Sequence, residues 1–479
     1  MFMYSREIFT PNYCSHLQHE LIAVGSECPY SNAKDRWQVF WMALITVERC
    51  FFVISYEGVM SIVVDIQGVS RLPNGLTVAS LDMAGAVSQL VIAFRAGARY
   101  EEPREAGLVH HLRNAVGIDS KNYLGAQMLW QCGSVGANLM STMSRDLFAV
   151  QMSVLRDHAS VALSLLGELA QSAFKPWDME EVYGTLYIDR AYLQPRDILN
   201  EKLHAAAFRN GPLGNQLYAK TAKIGKINSN QLIDFAASRL VSGNAVLVGV
   251  NVDHSQVLGY ASTQLAIPEA AAKSTAPSQY RGGEVRHNAV LEMAHVAVVG
   301  EGASLQDHKG MAAQAVLSAA LANGAATKYS SALGHGAVAQ AVYKQSGGNM
   351  VAVAPVNEIH SDAALVGVYL AANGGVIRPL VKAAVDAMKS LRLDDTTLSA
   401  AKICAEVDAL TACESSPTVA MDRAAQLLAS GRTLSAGDFI QLIRNVTTDD
   451  INKAAERLTK KLSIASHGSI TQVPYLDEL

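Results

Sequence analysis

The chain is poor in the residues that most often announce a chemistry. Six cysteines in 479 residues (Cys14, Cys28, Cys50, Cys132, Cys404, Cys413) form no C-x-x-C pair and no C-x-x-C-H run. The usual signs of a disulfide framework, an iron–sulfur cluster or a covalently attached haem are therefore missing. Charged residues make up 17% of the chain, below the roughly 25% of ordinary soluble domains. The net charge of −4 offers no general attraction to nucleic acid or anionic lipid. Long apolar runs are also scarce. The strongly apolar stretch 41–56 is broken by Glu48-Arg49, leaving seven residues on either side, far short of the ~20 that span a bilayer. What is present is apolar content: half the residues, enough for a large core or for a surface covered by partners.

The first 68 residues differ from the rest. They hold three of the six cysteines and two of the four tryptophans, with four basic residues against seven acidic ones. A mitochondrial leader is Arg-rich and poor in acids, so this segment does not read as one. Cys14, His16, His19 and Cys28 are candidate metal ligands by residue type, but their spacing fits no standard zinc pattern. We expect residues 1–68 to be an atypical N-terminus.

From residue 69 onward the chain reads as a duplication. Arg71-Leu72-Pro73-Asn74-Gly75 is a turn, followed by strands at 76–81 and 89–94 and a helix from Gly107. Later, 284–286 and 294–299 read as strands and Gly310 opens a helix closed by Asn323-Gly324. The ends of the halves match better. Residues 233–240, then 245–250, parallel 451–458, then 463–468, at an offset of 218: each is a helix ending in Arg-Leu before a short apolar strand. A weaker match links 201–211 with 421–431. This pattern implies two homologous domains, 69–265 and 283–479, joined by a linker at 266–282 rich in Ala, Ser and Pro. Strands mixed with long helices, without strict alternation, indicate an α+β fold: in each domain a mainly antiparallel sheet with helices packed on one face.

One octet has chemical content: Gly107-Leu108-Val109-His110-His111-Leu112-Arg113-Asn114. As a helix it places Leu108, Val109 and Leu112 on one apolar face. His110, Arg113 and Asn114 share the other, at i, i+3, i+4. The inverted-zincin pattern H-x-x-E-H uses that geometry: two histidines one turn apart bind zinc, and the Glu between them is the general base. Here Arg113 stands at the Glu position and Asn114 at the second His position. A guanidinium takes no proton from water. At ~5 Å and an effective dielectric near 20 it repels a divalent ion by about 6–7 kcal/mol. Asn is a poor zinc ligand. The simplest structural reading of the same octet is an amphipathic helix with a solvated polar face. At the matching positions of the second half stand Ala313, Val316 and Leu317, so that helix carries no polar site.

With the duplication and the octet in hand, the chain resembles the pitrilysin/insulysin metallopeptidase superfamily. Within it, the resemblance is to the non-peptidase core subunits of the mitochondrial ubiquinol–cytochrome c reductase (cytochrome bc1) complex. It is carried by 71–80, Ala96-Gly97-Ala98-Arg99-Tyr100-Glu101, the H-x-x-R of His110 and Arg113, residues 200–210, Tyr280-Arg281-Gly282-Gly283-Glu284 and the C-terminal 474–479. The resemblance puts the superfamily's third metal ligand, a Glu, at or near Tyr187, with Asp189 about 200° further around a helix. Base, second His and distal acid are thus all replaced, and no catalytic, metal or cofactor site is expected. The resemblance implies a scaffold on the matrix side of the inner membrane, peripheral to it. Such a scaffold pairs with core protein 1, contacts the cytochrome b part of a dimeric complex and holds no redox group. The alternative it implies is a processing-peptidase α-type subunit that binds presequences for a catalytic β partner. The glycine run of those subunits is not matched by the sparse Asn323-Gly324-Ala325-Ala326 and Gly334-His335-Gly336.

Overall fold

The computed structural model describes residues 66–272, 275–324 and 334–479. The N-terminal segment up to residue 65, with Cys14, His16, His19 and Cys28, lies outside the described residues, as do parts of the linker and of the sparse glycine region.

The first half runs β1 (Ile66–Arg71), β2 (Thr77–Leu81), β3 (Val87–Phe94), α1 (Leu108–Asn114), α2 (Gly125–Ser134), β4 (Asn138–Met143), β5 (Phe148–Leu155), α3 (Ala159–Leu169), α4 (Met179–Ala191), α5 (Pro195–Phe208), α6 (Ser229–Arg239), β6 (Ala245–Val250) and α7 (His254–Thr263). The second half runs β7 (Glu284–Asn288), β8 (Met293–Glu301), α8 (His308–Leu321), α9 (Ala337–Gln345), β9 (Val351–Ile359), β10 (Ala364–Asn373), α10 (Ile377–Lys389), α11 (Asp395–Cys413), α12 (Ser416–Ser430), α13 (Ala436–Arg444), α14 (Thr448–Lys460) and β11 (Ser463–Gly468). The expected turn closes with the Gly75 N–H on the Leu72 carbonyl at 2.9 Å, and Gly75 supplies the positive φ of 91° that the turn needs. The hairpins β4–β5 and β9–β10 emerge only in the folded chain.

The two large sheets have the orders β1-β2-β6-β3-β5-β4 and β9-β10-β8-β11-β7, and a separate two-residue ribbon pairs Asn323–Gly324 with Gly334–His335. Read from its other edge, the second repeats five strands of the first. The pairs β2/β6 and β7/β11 are parallel. The remaining pairs in both series are antiparallel. The segments that match at offset 218 occupy equivalent places: α6 leads into β6 and α14 into β11, each strand lying between a parallel and an antiparallel neighbour. The fold is therefore α+β with two mixed, mainly antiparallel sheets.

On one face each sheet carries helices of its own half. Leu90, Ile92 and Phe94 of β3 meet Leu108 and Leu112 of α1, Leu166 of α3 and Leu186 of α4. Val296, Val298 and Val368 meet Val316 and Leu317 of α8. The opposite face takes one helix from the other half. Val419, Ala420, Ala424 and Leu427 of α12 cover Val91, Ala93 and Val248. Leu199, Leu203 and Ala207 of α5 cover Ala297, Val299 and Ala465. Strands buried on both faces lose the polar alternation of a half-exposed strand, which accounts for much of the apolar content within the chain itself.

A buried polar network joins the halves. Arg99 Nη1 donates to Asp146 Oδ1 at 2.6 Å and to Ser361 Oγ at 2.8 Å. Its Nη2 donates to Asp362 Oδ2 at 2.6 Å. His360 bridges Asp146 and His204, at 2.9 Å to each. Burial alone would raise the Asp146 carboxyl, but the contacts with His360 and Arg99 outweigh it and hold the group well below the usual carboxylate range.

Candidate functional site

The octet forms a short helix, α1, and its start is built from the preceding turn. Gly107 takes a φ of 105°. A Cβ there would meet the Ala219 Cβ at 2.6 Å, so both backbone conformation and close packing require glycine. The Glu101 carboxylate accepts from the N–H groups of Gly107 (2.9 Å) and Val109 (2.7 Å), two donors that a helix leaves without intrahelical partners. Burial nevertheless pushes this carboxyl up to about 8, against the pull of those bonds.

The two histidines do different things. His111 Nδ1 donates to the Gly107 carbonyl at 2.7 Å, within its own helix turn. Burial pushes its imidazole down to about 4, so the ring is neutral. His110 turns away from solvent, fully buried, and its ring meets Tyr218 edge-on at 5.2 Å. The solvated polar face expected of this helix is therefore a partly buried one, with His110 buried and Arg113 and Asn114 half-buried. It is directed at α4.

There the partner is Asp189. Its Oδ2 lies 3.1 Å from His110 Nε2. The same oxygen accepts from Arg113 Nη1 at 2.5 Å and from Asn114 Nδ2 at 2.9 Å. Burial would raise this carboxyl. The bonds from His110 and Asn114 and the positive charge of Arg113 outweigh it, and the group sits below its ordinary range. Burial also lowers the His110 imidazole, with the Asp189 contact partly offsetting it. Asn114 Nδ2 also reaches the His110 carbonyl at 3.0 Å, and Arg113 Nε the Ser141 carbonyl of β4 at 3.4 Å.

Tyr187, the position expected to replace the distal ligand, does not join this group. It is 49% exposed. Val182 and Leu186 of α4 are buried in the core, and Asp189 follows Leu186 by three residues on that inward side. The 200° between 187 and 189 that makes Asp189 a poor substitute for an inward Tyr187 instead makes it the inward residue. The helical period of α4's apolar residues was the available signal.

The cluster does not suit zinc. Zinc sites use imidazole, thiolate and carboxylate donors. Here there is one imidazole, one carboxamide and one carboxylate already paired with a guanidinium. Among the described residues no three His, Cys, Asp or Glu side chains form a metal-binding group. No group at the Arg113 position can take a proton from water. A cavity of about 390 Å³ lies elsewhere, lined by Tyr123, Gln131, Glu168 and Tyr260 and by no residue of the cluster.

Known proteins bear on this geometry. Residues 77–221 match the family described as Insulinase (Peptidase family M16), and residues 226–403 match the Peptidase M16 inactive domain. The second match begins ahead of α6 and β6, although β6 is bonded into the first sheet between β2 and β3. The chain is similar to the human protein named cytochrome b-c1 complex subunit 2, mitochondrial: 30% identical over 420 residues, 86% of this chain and 91% of that one. It is also similar to a probable mitochondrial-processing peptidase subunit alpha-1 of Arabidopsis thaliana, at 23% identity over 86% of this chain and 83% of the relative. Among solved structures, a chain of complex III2 from Candida albicans has the same fold, with a TM-score of 0.74 at 18% identity, covering 85% of this chain and 97% of that one. No helix among the described residues is long and apolar enough to cross a membrane.

Proposed function

The chain belongs to the insulinase family, peptidase family M16, and on that premise we propose that it is a non-catalytic member of the core protein 2 type, a structural subunit of the mitochondrial ubiquinol–cytochrome c reductase. The observation that carries this reading is Asp189 Oδ2, closed by His110, Arg113 and Asn114. A peptidase of this family needs an open metal and a carboxylate base at that place, and this cluster supplies neither. In this reading the chain sits on the matrix side of the inner membrane, pairs with core protein 1 and reaches cytochrome b by docking. Its domains are 69–265 and 283–479.

Detergent-solubilised mitochondria test it. The chain should comigrate with cytochrome b haem and core protein 1, and washing membranes with about 1 M salt should leave most of it bound, because apolar docking is not screened by ions. A pool soluble in the matrix at low salt, copurifying with an H-x-x-E-H subunit and no haem, favours the processing-peptidase α reading instead. One zinc per purified chain, lost on His110→Ala, would overturn both.

A further inference from the structure

The cluster is shaped by backbone as well as by side chains. An imidazole that ligates a metal through one nitrogen keeps its proton on the other and donates it to a carbonyl, carboxylate or water. At His110 the roles are reversed. The peptide N–H of Ala219 points at Nδ1 across 3.2 Å. An N–H only donates, so Nδ1 presents its lone pair and the neutral ring carries its proton on Nε2. Asp189 Oδ2, 3.1 Å away, accepts from that Nε2–H.

The peptide that imposes this is held on two sides. The Ala219 carbonyl accepts from Arg190 Nη1 of α4 at 2.8 Å. Ala219 itself is buried against Gly107, where even one added carbon would approach its Cβ to 2.6 Å. Its N–H has no room to swing away from His110. A metal on Nε2 would require Nδ1 to carry the proton and face the Ala219 N–H, donor against donor. Building on the non-catalytic role of this site, we propose that the Ala219 peptide locks His110 in the Nε2–H tautomer, so that the site refuses a metal ion through its backbone as well as through Arg113 and Asn114. Rebuilding the H-x-x-E-H pattern by Arg113→Glu and Asn114→His then does not by itself make a zinc site.

Two measurements on the full-length chain test this. Two-bond ¹H–¹⁵N correlations of the ¹⁵N-labelled protein, with the His110 signals assigned by their loss in His110→Gln, should show the Nε2–H tautomer; the Nδ1–H tautomer overturns the proposal. The Arg113→Glu/Asn114→His variant, shown to be folded by circular dichroism, should hold less than about 0.1 zinc per chain after equilibration with Zn²⁺ and removal of free metal. Stoichiometric zinc there overturns the lock while leaving the non-catalytic reading intact, whereas zinc on the wild type sinks that reading instead. If the double variant does not fold, the tautomer measurement still decides.

Discussion

The helices α1 and α8 hold the same place in two copies of one sheet topology, yet three matching positions are polar in α1 and apolar in α8. In α1, His110 is fully buried and its partners converge on one carboxylate oxygen. In α8, Ala313, Val316 and Leu317 stand where His110, Arg113 and Asn114 do, and all three are buried, Val316 in the apolar core and Ala313 and Leu317 also beside a cavity that Glu301, Asp450 and Arg457 line. α8 retains two buried polar side chains, Gln314 and Ser318; the Gln314 Oε1 accepts from the Ala303 N–H and its Nε2 donates to Asn357 Oδ1, each at 2.6 Å. The comparison teaches that the polar side of α1 that faces α4 is matched there by a partner, since a buried donor without an acceptor costs about 1–3 kcal/mol. The first half has Asp189 on α4. At the three matching positions α8 carries apolar side chains, which need no such partner.

The comparison breaks most sharply if the charge is moved across. Val316→Arg puts a guanidinium at a fully buried position of α8 whose surroundings are apolar, and should cost about 4 kcal/mol or more in urea unfolding, or abolish folding. Tolerance within about 1 kcal/mol would show that α8 is not packed as described.

Next in size, Asp189→Ala strands the His110 Nε2–H and leaves Arg113 uncompensated in a partly buried site. A loss of about 2 kcal/mol is expected, and Glu101→Ala serves as a comparison at the same helix. An unchanged urea midpoint for Asp189→Ala contradicts the cluster.

The pH dependence of that loss has a defined sign. The folded Asp189 carboxyl lies below its ordinary range. Its contribution is therefore complete above the unfolded value of about 3.9 and is lost as pH falls through the folded value. The stability gap between wild type and Asp189→Asn should be constant near neutrality and shrink below about pH 4. A gap that persists unchanged down to pH 2 excludes the carboxylate as its source.

Smaller effects sharpen the picture. Arg113→Val imports the second-half residue into the first half. The Arg113 side chain is 30% exposed, so solvent screens the pair and the loss should be about 1 kcal/mol or less. Tyr187→Ala should change stability by less than about 0.5 kcal/mol, because the ring faces solvent; a larger loss than that of Asp189→Ala would restore Tyr187 to the site.

Spacing along the chain determined a good deal. The Arg-Leu-then-strand repeat at offset 218 located two equivalent helix–strand units, α6–β6 and α14–β11, because each copy must bury the same apolar face. The H-x-x-R-N octet marked a helix with three polar residues on one side, because helical geometry brings i, i+3 and i+4 together whatever surrounds them. Tertiary structure alone decided the rest. It turned that polar side inward against α4, and it selected Asp189 over Tyr187, because which residue faces a partner depends on how α4 is rotated over the core. It exchanged α5 and α12 between the sheets, covering faces that the chain order assigns to no helix. It also set the His110 tautomer through an N–H 109 residues away. A residue's type fixes which bonds it can make; the fold chooses the atom across from it, and that atom decides whether a histidine is a donor or a ligand.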